Sequence, residues 1–126
     1  MSTEGVSREP GVVWEELLDS YRPPHREDDW VAPAMWPLVQ AAMLDPVLRS
    51  KYPWTSMNQL QVSSSDDWED FGSETFPGIA AWSGGYSLVA HPWGEGRIVL
   101  ETTAPGEAVA FLAAVVREQM PDRGTE

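Results

Sequence analysis

The chain has no cysteine, which excludes disulfide cross-links, thiol nucleophiles and cysteine-ligated zinc. Lysine is almost missing, Lys51 being the single one, and histidine occurs only as His25 and His91. Eight basic residues face twenty acids, for a formal net charge of −12. Such a field repels phosphate backbones and anionic bilayers, so neither nucleic acid nor membrane is expected as a partner. It suits a basic peptide or a basic patch on an enzyme, and it also serves solubility. No apolar run approaches the roughly 20 residues of a membrane span. Residues 1–10 are polar and lack the apolar core of a signal peptide, so a cytoplasmic location is expected.

What is present fits one domain: 126 residues, 42% of them apolar. Seven tryptophans stand out, at positions 14, 30, 36, 54, 68, 82 and 93. Each ring fills much of a small core, but a buried indole N–H needs an acceptor. At least half are expected in the core and two or three at a functional surface.

Periodicity predicts an α+β chain. Trp14, Leu17, Leu18 and Tyr21 fall on one helical face that opens after Pro10-Gly11 and stops at Pro23-Pro24. Residues 22–33 form a Pro-rich, acidic linker that leaves this first helix free to stand apart. A second helix is expected to open with Pro37 at its first position and run through Met43. Asp45-Pro46 then caps a short turn that points Leu48 inward, ending at Tyr52-Pro53. Residues 56–63 alternate as one strand, with Asn58, Leu60 and Val62 on one face. Residues 66–71 suggest a helical turn. Ser83-Gly84-Gly85 marks a hairpin, and Trp93-Gly94-Glu95-Gly96 a further turn before a strand over 97–102. On that last strand Ile98 and Leu100 are expected to face one way, and Arg97, Val99 and Glu101 the other. Ala108, Phe111, Leu112 and Val115 trace the face of a closing helix capped by Thr103. The expected architecture is an antiparallel meander of about four strands with helices packed on one face. Its parts are a helix and linker over 1–33, one domain over 34–120 and a polar tail over 121–126.

No catalytic motif is present, and no cofactor is expected. The acids Asp66, Asp67, Glu69 and Asp70 lack EF-hand spacing and suit a helix start, so no metal site is assigned. His25 reads as an exposed loop residue. His91 shares a strand face with Ser87 and has Glu101 on the neighbouring strand, but no nucleophile elbow surrounds any serine. The weak catalytic candidates are His91, Tyr86, Tyr52 and Glu101. The ligand-binding candidates are Trp54, Trp82, Trp93 and Tyr86, because an aromatic-lined cleft takes apolar or peptide ligands.

The block Asp45-Pro46-Val47-Leu48-Arg49, followed by Tyr52-Pro53-Trp54-Thr55-Ser56, Leu60, Gly85-Tyr86 and an Ala-rich closing helix, resembles an uncharacterised actinobacterial family. That family is labelled natural-product biosynthesis protein. The resemblance covers about residues 36–118 and departs from the family at Met57-Asn58, where its members often carry His-Trp. It implies a biosynthetic setting, often one making a modified peptide. The expected role is an accessory binding protein that engages a precursor peptide, an intermediate or a partner enzyme. Two other roles stay open: a cofactor-free cyclase or isomerase with an aromatic pocket, and an immunity protein masking a toxin. A homodimer through the sheet or the first helix is also left open.

Overall fold

A computed structural model describes residues 9–64, 76–90 and 97–119. Four helices pack against one five-stranded antiparallel sheet whose strand order follows the chain. Helix α1 spans Pro10–Ser20, with Pro10 in the first turn, where its missing N–H costs nothing. Trp14 is fully buried and donates its indole N–H to the Lys51 carbonyl at 2.8 Å. Leu17, Leu18 and Tyr21 pack beside it, so α1 is part of the core and does not stand apart.

Helix α2 spans Val31–Met43 and starts six residues before Pro37, which lies inside it. The expected start at Pro37 is therefore wrong. Asp29 accounts for the earlier start, because its carboxylate accepts from the N–H groups of Val31 and Ala32 at 2.9 and 3.0 Å. Proline inside a helix removes one backbone bond. The loss is offset by burial of Met35, Leu38, Val39 and Ala42, all fully inaccessible. The short α3, Pro46–Arg49, is capped by Asp45 and seats Leu48 in the core, as its sequence indicates.

The stretch expected as one strand over 56–63 is half of a hairpin. Strands β1 (Tyr52–Ser56) and β2 (Gln59–Ser63) pair across a two-residue turn at Met57-Asn58. Met57 takes a left-handed φ of 54°, a conformation seldom adopted by a residue with a side chain. The Asn58 side chain holds the turn to the sheet by donating to the Ala81 carbonyl at 2.9 Å. Tyr52-Pro53, expected as a terminator, instead opens the first strand, β1; Pro53 is tolerated because β1 is an edge strand.

Strands β3 (Gly78–Trp82) and β4 (Gly85–Ala90) form the hairpin expected at Ser83-Gly84. Strand β5 (Arg97–Thr102) pairs with β4, with a register break between Leu88 and Val89. Leu100 lies opposite Leu88, but Ile98 lies opposite Val89, which leaves Val99 as an extra residue. A bulge of this kind reverses side-chain parity. Ile98 and Leu100 therefore point to opposite faces, contrary to the simple alternation.

Helix α4 spans Pro105–Gln119. Its buried face is Ala108, Val109, Leu112, Ala113 and Val116, while Phe111 is 38% exposed. The face shares Ala108 and Leu112 with the expected one, but Val109, Ala113 and Val116 take the places expected of Phe111 and Val115. The capping hydroxyl belongs to Thr102 and not to Thr103. Thr102 Oγ1 accepts from the Ala104 N–H and donates to the Glu107 carboxylate, a relayed form of the capping box.

Leu60, Val62, Ile79, Ala81, Tyr86 and Leu88 on one sheet face meet the helices in a single core. Trp14 lies in that core, Trp30 and Trp82 are exposed, and Trp36 and Trp54 are half-buried. Trp68 and Trp93, the turns expected over 66–71 and 93–96, and the tail lie outside the described residues.

Candidate functional site

On the sheet face away from the helix-packed core, small residues line up across β3 and β4. Trp82 pairs with Gly85, Ala80 with Ser87, and Ser87 with Glu101. Gly85 cannot carry a side chain, because a Cβ there would stand 2.9 Å from the Thr102 carbonyl oxygen. Gly84 has open space where a Cβ would stand, and with Gly85 and Ser87 it lines a hollow at this end of the sheet. The hollow forms an open cleft of about 560 Å3 walled by Trp82 on one side and by Ile98, Glu101 and Thr103 on the other.

The walls have distinct chemistry. Trp82 is 52% exposed and its ring lies parallel to that of Trp30, with centroids 6.1 Å apart and planes 5° apart. Trp30 precedes α2 and is itself 46% exposed. Large apolar rings are seldom left half in water without a use, and Trp is enriched at recognition sites. Ile98, displaced to this face by the bulge, adds an exposed aliphatic surface. Ser87 and Thr103 supply hydroxyls. Among the described residues of the lining, Glu101 is the one carboxylate and none is basic.

Of the expected site residues, Trp82, Tyr86 and Glu101 meet at this cleft. Tyr86 reaches it from β4, but the residue is only 8% exposed and belongs to the core. Burial holds its phenol above the ordinary value of 10.0. At neutral pH it is a protonated hydroxyl and not a base. Tyr52 and Trp54 do not join the cleft. They lie on β1, at the opposite edge of the sheet from β5. His91 and Trp93, with the pairing of His91 to Ser87 or Glu101, lie outside the described residues.

Sequence reasoning missed Trp30, Ile98 and the glycine floor. Trp30 stands far from Trp82 in the chain, and only the excess of tryptophan hinted at such a pair. His25, expected as a free loop residue, is half-buried, with Nε2 at 2.6 Å from the Tyr21 carbonyl oxygen. It closes the end of α1 and has no place in the cleft.

Among the described residues no group of three or more His, Asp or Glu could hold a metal ion. The cluster Asp66, Asp67, Glu69 and Asp70 lies outside them. Among the described residues no helix is long and apolar enough to cross a membrane.

No curated protein and no solved structure matches the chain significantly. A family model does match, over residues 12–123, and it is described only as a family of unknown function, DUF6193. The match reaches beyond the resemblance drawn from residues 36–118 and takes in most of α1 and the linker. The chain therefore belongs to the DUF6193 family.

Proposed function

We propose that this protein is a binding module whose ligand occupies the cleft between Trp82 and β5. The observation that carries the reading is the half-exposed Trp82, stacked on Trp30 at the side of a hollow floored by glycine. Stacked, pre-ordered rings lose little freedom on binding, so the contact they offer is inexpensive in entropy. A binding role is favoured over a catalytic one by the scatter of the acid–base candidates. Tyr52 lies across the sheet, the Tyr86 ring belongs to the core, and Glu101 stands among hydroxyls and apolar groups. The ligand is a peptide, a small intermediate or a segment of a partner enzyme in natural-product biosynthesis. That setting rests on the sequence resemblance alone.

Intrinsic fluorescence tests the reading directly. Peptides and metabolites made by the genes beside this one are titrated into the protein. A saturable change at micromolar ligand is expected, with at least tenfold weaker binding in Trp82→Ala. Far-UV circular dichroism should be unchanged, because Trp82 lies outside the core. Binding that is equally tight in Trp82→Ala would remove the cleft from the reading, and no binding by any of these molecules would remove the reading itself.

A further inference from the structure

Resting on the binding role proposed above, we infer that the cleft selects a guanidinium: the arginine side chain of a peptide ligand. The cleft places an aromatic face and a carboxylate together. The Trp82 ring forms one wall, while Glu101 stands on the opposite strand-side wall, exposed and with no ion-pair partner among the described residues. A guanidinium is planar, so it stacks on an indole with little loss of hydration and keeps its N–H fork for a carboxylate. An ammonium would satisfy the charge but not the plane, and a carboxylate or phosphate ligand would meet Glu101 with no base among the described lining residues to offset the repulsion. The chain already uses this chemistry elsewhere, where the Arg22 guanidinium lies 5.5 Å from the centre of the Trp36 ring. The overall charge of −12 acts in the same direction, drawing cations toward the surface before contact. The glycine floor leaves room for an aliphatic stem to lie beside Ile98.

The experiment uses the full chain, labelled with 15N, and two probes of nearly identical shape. One is Nα-acetyl-arginine methylamide. The other is the citrulline counterpart, which replaces the guanidinium with an uncharged urea. The expected result is saturable shift changes confined to residues 82–87 and 98–103 with the arginine probe, and at least tenfold weaker binding of the citrulline probe. Glu101→Gln should weaken the arginine probe by about tenfold and leave the citrulline probe unchanged. Equal binding of both probes, or an arginine affinity indifferent to Glu101→Gln, would overturn the choice of a cation while the cleft kept its binding role. Shifts spread evenly over the acidic surface, or none with either probe, would overturn the guanidinium site. The binding role would then stand or fall on the fluorescence titration with Trp82→Ala.

Discussion

Among the described residues, Met57 is the non-glycine residue with a positive φ. It sits at a left-handed φ of 54° at the head of the β1–β2 turn, and 72% of its side chain is in water. A side chain in that region costs about 1 kcal/mol or more, and little packing returns it. Met57→Gly relieves the strain but loosens the unfolded chain, which takes part of the gain back. A net stabilisation of about 0.5 kcal/mol is expected, read as a higher urea midpoint with an unchanged slope. The same residue explains why the hairpin was hidden in the sequence. Two-residue turns usually announce themselves by glycine or by an Asn-Gly pair, and Met57-Asn58 has neither glycine nor that order. The closeness of Trp82 and Tyr86 on the sheet was legible because a strong glycine hairpin fixes the β3–β4 register. Trp30 and Ile98 were not, since one depends on a tertiary contact and the other on a bulge that no local pattern announces.

Among the elements, α3 is decided by a local chemical signal, whereas the start of α2 and the buried face of α4 are not. Asp45 marks the start of α3 by itself, since its carboxylate accepts from Val47 N–H at 2.9 Å and from Leu48 N–H at 3.2 Å. The consequence is testable: Asp45→Ala should cost about 1 kcal/mol. Because Leu48 is fully buried in the single core, the loss should appear in the global urea transition and not as local fraying. In α2 the opposite holds. Pro37 looks like a first helical residue, but the Asp29 cap and the burial of apolar residues on both sides place it mid-helix. The α4 face was misplaced for a related reason. Phe111 and Val115 fit a helical stripe as well as Val109, Ala113 and Val116 do, and the stripe that is buried is set by how the helix seats on the sheet.

At the scale of the molecule, the helices and one sheet face enclose a single core, and Tyr86 ties the stability of that core to pH. Its phenol has a raised value in the folded state because burial disfavours the anion. The sign follows from linkage: the contribution is complete below the unfolded value of about 10 and is lost as pH climbs from there through the folded value. Stability measured by urea denaturation should therefore fall above pH 10, and Tyr86→Phe should flatten that decline. The α+β architecture itself was readable from periodicity and turn residues. The number of strands was not, because Tyr52-Pro53 carries the chemical mark of a stop while occupying an edge where proline does no harm.

The strand order follows the chain, but the core does not close in that order. Helix α2 packs against α4, and α4 also covers β3, β4 and β5. Everything between them must be synthesised before the sheet has its final cover. On the ribosome, the nascent chain would hold Leu60, Ile79 and Leu88 in wait for a helix still inside the exit tunnel. The stretch from β1 to β5 is thus the period of greatest exposure to chaperones and to self-association, and it ends only when α4 emerges.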